Sequence, residues 1–316
     1  MDPNAHGEFD LIRWFRDRTP AGNPSAVLGI GDDCAILRFL PGADLVVTTD
    51  MLMDGRHFRL DRDGPEAAGF KAMAVNISDI AAMAARPVAA VASVALPKPG
   101  GRAGTIARGL HAGLIDAAGR YGVAFVGGDT NAWDGPLVVS VTLIGEATAL
   151  GPVRRSGARP GDIIYVTGPL GGSLLGRHLR PTPRVAEALA LHAAAPLHAL
   201  IDLSDGLLSD LGHVLEESGH PGAVLDAASI PVHADAYAMS REDGRTPLDH
   251  ALNDGEDFEL CVVVAPGDAE RFGERPPSPA TIIRVGVVVE TPGLYLRSTA
   301  GTLETVQPAG FDHLRS

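Results

Sequence analysis

In the opening stretch GEFDLIRWFRDR, Phe9, Ile12 and Phe15 recur at helical spacing and predict a short amphipathic helix. DLVVTTDML reads as a strand running into a polar turn. The longest helical pattern is GPEAAGFKAMAVNISDIAAMAA, with Phe70, Met73, Ile77, Ile80 and Met83 on its apolar side. On that helix Asn76 and Asp79 are three apart, so they project from one face as neighbours. VAAVASVALP then predicts a strand, residues 102–120 a helix, GVAFVGGDT a strand ending in a glycine turn, and PLVVSVTLIGEA another strand. Near residue 150 the pattern stops: TALGPVRRSGARPGD is rich in Gly, Pro and Arg and has no apolar periodicity, which marks a domain boundary. Beyond it come strand DIIYVTG, glycine turn GPLGG, a helical pattern over 183–195, strand LHALIDLS, helix DGLLSDLGHVLEESG, a polar stretch, and strands DFELCVVVA and TIIRVGVVVE. Both halves, 1–150 and 151–316, mix strands with helices, so each is expected to be a layered α/β domain.

Composition narrows the function. The 316 residues are long for one core, which agrees with two domains. A net charge of -13, from 39 Asp+Glu against 26 Lys+Arg, is the wrong sign for gripping a nucleic-acid backbone. Cys34 and Cys261 are the two cysteines and no CxxC occurs, which argues against a disulfide framework or a zinc ribbon and suits a reducing compartment. The start lacks the basic and apolar regions of a signal peptide, and the most apolar stretch, PVAAVASVALP, has about ten residues between its prolines, too few to span a bilayer. A cytoplasmic protein without a nucleic-acid or membrane partner is expected.

Acidic residues follow strands or glycine turns again and again: Asp32 and Asp33 in GDDC, Asp50 in VVTTD, Asp79 in NISD, Asp129 in GGDT, Asp202 and Asp205 in DLSDG, and Asp254, Glu256 and Asp257 in NDGEDFEL. Converging carboxylates repel unless a cation or a proton neutralises them, and an oxygen-only set favours Mg²⁺ over zinc or copper. Thr48 and Thr49 add hydroxyl oxygens beside Asp50. Because Mg²⁺ completes its shell with waters and substrate phosphates, a phosphate-bearing substrate follows. The glycines of GGDT and GPLGG are expected to bring backbone N–H groups to those phosphates, and Arg154 and Arg155 to pair with them. Each piece alone has an ordinary explanation: Asp205 as a helix N-cap, NISD as a solvated helix face, the arginines as a solvated linker, His57 as a surface histidine, Phe311 as a core plug. The usual phosphate motifs are missing, since the only lysines, Lys71 and Lys98, do not follow glycine, and no kinase catalytic loop occurs.

Taken in order, GIGDDCAIL, VVTTDMLMDGRHF, KAMAVNISDIAAMAARP, VGGDTN, RRSGARPGDIIYVTGPLGG, the text of 199–219, LNDGEDFELC and GFDHL resemble thiamine-monophosphate kinase over nearly the whole chain. The resemblance implies the superfamily of aminoimidazole ribonucleotide synthase and selenophosphate synthase: two α/β (α+β) layered domains, an ATP site between them, and a homodimer formed through the N-terminal sheets. It implies transfer of the γ-phosphoryl of ATP to thiamine monophosphate, the last step in making thiamine diphosphate, by direct in-line attack assisted by several Mg²⁺ ions.

Carried over by position, Asp33, Thr48, Thr49, Asp50, Asp79, Asp129, Asp202 and Asp205 match the metal positions. Tyr121, Gly128, Asp129, Arg155 and Ser204 match ATP contacts, and His57, Glu256 and Phe311 match the acceptor pocket. Among these, Asp50, Asp129, Arg155 and Asp205 are the expected catalytic group. The chain departs from the family pattern at Phe311 (often Tyr), Asp254 (Gly) and Ala84 (Gly). The alternatives are another ATP-dependent chemistry of the same superfamily and a Mg-nucleotide sensor without turnover.

Overall fold

The computed structural model describes residues 8–20, 22–30, 34–98, 100–274, 277, 279 and 281–308. The chain divides into two compact units: Met1–Ile80 with Arg86–Ala149 and Leu179–Pro181, and Ala81–Ala85 with Leu150–His178 and Thr182–Ser316.

The first unit runs α1 (Glu8–Arg18), β1 (Ala26–Leu28), β2 (Ile36–Leu37), β3 (Leu45–Met53), α2 (Leu60–Ala82), β4 (Ala85–Pro97), α3 (Ala103–Arg120), β5 (Ala124–Trp133) and β6 (Val138–Ala147). Its main sheet has the order β3-β6-β4-β5, with β3 antiparallel to β6 and β4 parallel to β5. Strict alternation along β3 sends Val46 and Leu52 into the core and leaves Leu45, Val47, Met51 and Met53 on an exposed face. The predicted helix over 64–85 is present, but it begins earlier, at Leu60, and is broken at Gly64 (φ 78) just before Pro65. Of its predicted apolar residues, Phe70, Met73, Ile77 and Ile80 are buried, whereas Met83 is partly buried and lies just past the helix, which ends at Ala82. The two long helices, α2 and α3, meet at glycines. A Cβ on Gly69 would lie 2.1 Å from the Leu110 carbonyl oxygen, and one on Gly113 would lie 2.0 Å from that of Glu66. Bare backbone is what lets these helices touch.

GVAFVGGDT differs from expectation. β5 continues through Gly127 and Gly128 to Trp133, so these glycines belong to a strand and not to a turn. The reason is steric, because a Cβ on Gly128 would sit 2.0 Å from the carbonyl oxygen of Ala92 on neighbouring β4.

The second unit holds β7 (Ile163–Val166), two short 3₁₀ turns (Ser173–Leu175 and Arg177–Leu179), α4 (Val185–Ala194), β8 (Leu197–Asp202), α5 (Leu207–Glu217), β9 (Gly222–Asp226), α6 (Ala234–Asp243), α7 (Pro247–Asn253), β10 (Leu260–Val264), α8 (Pro266–Glu274), β11 (Ile283–Val289), β12 (Gly293–Arg297) and β13 (Leu303–Val306). Seven strands form one sheet in the order β13-β12-β9-β11-β7-β10-β8, antiparallel except for the β12–β9 pair. β10, LCVVV, is buried at every position, as a central strand covered on both faces must be. The stretch read as merely polar after residue 219 contains β9, α6 and α7. α7 carried a local signal, since Thr246 caps it by accepting from the Asp249 N–H (3.1 Å) and Pro247 opens its first turn. Among the described residues, no helix is long and apolar enough to cross a membrane.

Gly113→Ala is expected to destabilise the protein by about 2 kcal/mol through overpacking at the α2–α3 contact. In an open helix the same change gains about 1 kcal/mol, so the sign is diagnostic. Urea unfolding decides it: an unchanged or raised midpoint would mean that the helices have room to separate.

Candidate active site

In the first unit the acidic face is set by strand alternation and by α2. Thr48 and Asp50 share the inward side of β3 with Val46 and Leu52, and α2 brings Asp79 onto that side, where the Thr48 hydroxyl donates to Asp79 Oδ2. NISD is not a solvated face: Asn76 and Ser78 are fully buried. Thr49, by the same alternation, points the other way. Its hydroxyl donates to the Val141 carbonyl (3.1 Å) and accepts from Thr142 Oγ1 (3.0 Å). Asp129 lies on β5, in register with Ser93, and accepts from Asn131 Nδ2 (3.1 Å). Since β3 and β5 are the two edges of the described sheet, Asp50 and Asp129 are at least three strand spacings apart in one chain, about 14 Å measured across the strands. Tyr121 follows the C-terminus of α3 and precedes β5, and from Ala124 the strand runs about 16 Å to Asp129.

His57 lies in the connection between β3 and α2. The Met53 N–H donates to its Nδ1 (3.0 Å), so in the neutral ring the proton sits on Nε2, which becomes a donor. The fully buried Lys71 donates to the His57 carbonyl (2.7 Å) and ties this connection to α2.

The second unit gathers its candidates tightly. β8 ends at buried Asp202, the turn carries Ser204 and Asp205, and α5 follows. Asp205 is not the N-cap: Gly206 holds that place, without a side-chain cap, at φ 105, where an added Cβ would lie 2.9 Å from the Asn253 carbonyl carbon. The Asp205 N–H donates to Asp210 Oδ2 (3.0 Å). Burial, then the neighbouring Asp202 and Asp205 carboxylates, push the Asp210 carboxyl up to about 8, partly offset by the Asp205 N–H and by Arg155. Arg155 therefore belongs to this cluster. The adjacent Arg154 carbonyl accepts from the Leu200 N–H (3.0 Å), which lays the arginine pair along β8.

The acidic segment 254–259 is stitched to the same turn. The Glu256 N–H donates to the Ser204 carbonyl (2.7 Å) and the Phe258 N–H to that of Leu203 (2.9 Å). Asp257 pairs with Arg177 (3.0 Å) and accepts from the Gly171 N–H (2.8 Å), and burial still pushes its carboxyl up to about 6. Glu259 takes Arg184 Nε (2.8 Å) and Nη2 (2.5 Å), a bidentate pair, and the Thr167 hydroxyl (2.6 Å). The last two amides of GPLGG are thus spent on carboxylates, Gly171 on Asp257 and Gly172 on Asp254 (3.0 Å), which corrects the expectation that these two meet phosphate.

Among the described residues, no three His, Cys, Asp or Glu side chains form a set able to hold a metal ion. The donors nevertheless suit Mg²⁺, which takes one or two carboxylates and fills its remaining positions with waters and substrate oxygens: Thr48, Asp50 and Asp79 in one unit, Asp202 and Asp205 in the other. Asp33 and Phe311 lie outside the described residues. Asp210 was not singled out from the sequence. The signal was present, because it falls on the buried stripe of α5 between Leu207 and Val214, where a carboxylate has no packing reason to be.

Residues 31–147 match the family model "AIR synthase related protein, N-terminal domain". A thiamine-monophosphate kinase of Rhodopirellula baltica is 42% identical over 313 residues, covering 97% of each chain. The chain belongs to the thiamine-monophosphate kinase family. Solved structures agree. A thiamine-monophosphate kinase from Stenotrophomonas maltophilia superposes with a TM-score of 0.75 at 34% identity, covering 91% of this chain and 94% of its own. "AaThiL complexed with AMPPCP and TMP" superposes with a TM-score of 0.75 at 27% identity, covering 99% of each chain. The expected α/β fold of mixed sheets and helices is the fold of these thiamine-monophosphate kinases. Ala84 is fully buried and left-handed at φ 49, so alanine carries strain there that glycine would not.

Glu259→Gln should cost about 2 kcal/mol, because Arg184 loses its bidentate carboxylate and keeps its partly buried charge against Glu187 (3.3 Å) alone. Chemical denaturation reads this directly, and a change under a few tenths of a kcal/mol would mean that the pair is neutral for stability.

Proposed function

We propose that this chain transfers the γ-phosphoryl of ATP to the phosphate of thiamine monophosphate, giving thiamine diphosphate and ADP, the last step of thiamine diphosphate biosynthesis. The near full-length likeness to thiamine-monophosphate kinases carries this reading. Donor and acceptor are both phosphates, so the main barrier is anion repulsion, and no protein nucleophile is needed. Bound Mg²⁺ would supply the positive charge that offsets this repulsion. In the first unit we assign its ligation to Thr48, Asp50, Asp79 and Asp129, together with Asp33, and in the second to Asp202 and Asp205; Thr49, expected among these from the sequence, is left out because its hydroxyl faces β6 on the other side of β3. Gly128, Asp129, Tyr121, Arg155 and Ser204 are assigned to ATP. The Nε2–H of His57 is a donor suited to an acceptor phosphate oxygen, and Glu256 and Phe311 complete the acceptor contacts. Asp50, Asp129, Arg155 and Asp205 position and neutralise the reacting phosphates for direct in-line transfer. Both cysteines are free, which suits the reducing cytoplasm where we place the reaction.

The protein is further proposed to be a homodimer through the outer face of the first unit's sheet. Val47 is 65% exposed and Met51 58%, with Leu45 and Met53 beside them on one strand face, an apolar surface that water penalises and a second copy would cover.

Mixing protein, ATP, Mg²⁺ and thiamine monophosphate is expected to give thiamine diphosphate and ADP in equal amounts by chromatography. ADP without thiamine diphosphate would redirect the reading to another acceptor. Asp50→Asn is expected to lose about a hundredfold or more in kcat while remaining folded by circular dichroism, and near-normal turnover would remove Asp50 from the metal role. Light scattering should give twice the chain mass for the wild type and one chain mass for Val47→Asp; a monomeric wild type would refute the dimer.

A further inference from the structure

Asp254 closes α7 with φ -69 and ψ -34, ordinary helical values. What the residue adds is a carboxylate with 2% side-chain exposure and a full set of donors. It accepts from the Gly172 N–H (3.0 Å), from Arg245 Nη1 (2.8 Å) and, with His250 as donor, from Nδ1 (2.8 Å). These partners are themselves fixed. His250 is fully buried, with Nε2 3.2 Å from Asp243 Oδ1, and Arg245 also grips Asp249 (2.6 Å).

The two residues that follow need such support. Gly255 (φ 72) and Glu256 (φ 52) are consecutive left-handed residues, and a non-glycine residue holds that conformation only where its surroundings over-determine it. On one side the Ser204 carbonyl takes the Glu256 N–H at 2.7 Å, and an added Cβ on Gly255 would come within 2.5 Å of that oxygen. On the other side stands the loop 171–173. Ser173 Oγ donates to the Gly255 carbonyl (2.8 Å), and this loop is pinned to the turn through Gly172 and Asp254.

We propose that Asp254 is a positioning residue for the acceptor substrate: by clamping the 171–173 loop it locks the Gly255–Glu256 turn and so sets where the Glu256 carboxylate stands. The inference rests on the placement of Glu256 at thiamine monophosphate in the proposed function. Arg245 and His250 act through Asp254, as the braces that keep its carboxylate aimed at Gly172.

The test compares wild type, Asp254→Gly and Asp254→Asn as full chains, by steady-state kinetics and by hydrogen exchange of the peptide spanning 253–258. Asp254→Gly is expected to raise KM for thiamine monophosphate by about tenfold while KM for ATP and kcat stay within about twofold, with faster exchange at the Glu256 amide. Asp254→Asn keeps an oxygen acceptor for Gly172 and should restore most of both. If Asp254→Gly does not fold, Arg245→Met carries the comparison, with a smaller shift in the same KM. Unchanged exchange in a folded Asp254→Gly, or an equal rise in KM for ATP, would overturn the proposal. Failure of the function reading is separately visible, as a wild type that does not turn over thiamine monophosphate, and the exchange comparison would still decide whether Asp254 holds the turn.

Discussion

Like charges brought close must be answered, and much of the second unit is an answer to the carboxylates of residues 254–259. Glu259 is closed by Arg184 and Thr167, Asp257 by Arg177 and the Gly171 amide, Asp254 by Arg245, His250 and the Gly172 amide. These pairs span β7, the turns after it, α4 and α7, so removing any one disturbs several elements together. The desolvation of so many ionic groups makes the network a poor source of net stability, but it specifies one arrangement of the loops. Glu256 sits within it, on a left-handed turn whose amide is tied to Ser204.

A few residues away the carboxylates crowd one another. Asp202, Asp205 and Asp210 are crowded together with Arg155 nearby, and the crowding shows in Asp210, whose carboxyl burial and its neighbours drive toward the protonated form. Carboxylates crowded in this way are where a cation and phosphates gain most. Paired acids and crowded acids are thus separated by what surrounds them, although they look alike along the chain.

In the first unit the division is made by backbone geometry. Alternation puts Thr48 and Asp50 on the side of α2 and Asp79, and Thr49 on the other, where its hydroxyl meets β6. The same alternation leaves one apolar face of β3 bare. Glycines matter here for closeness: Gly69 and Gly113 bring two helices into contact, and Gly128 brings β5 against β4.

Periodicity is a local property, and what depended on it was legible: the buried stripe of α2, the alternating β3, the continuous apolar β10, and the ordered acidic motifs that mark the family. Short or weakly amphipathic elements such as β9 and α6 escaped because they repeat too few times to rise above the polar residues around them. The partner of each charged group escaped for a different reason. Gly172 meets Asp254 across 82 residues and Thr167 meets Glu259 across 92, pairings decided by which strands the sheet places side by side. The chain by itself determined its elements, its acidic chemistry and its family, because these lie in neighbouring residues. Only the tertiary structure decided which acids are anchors, because that depends on donors brought from elsewhere in the chain.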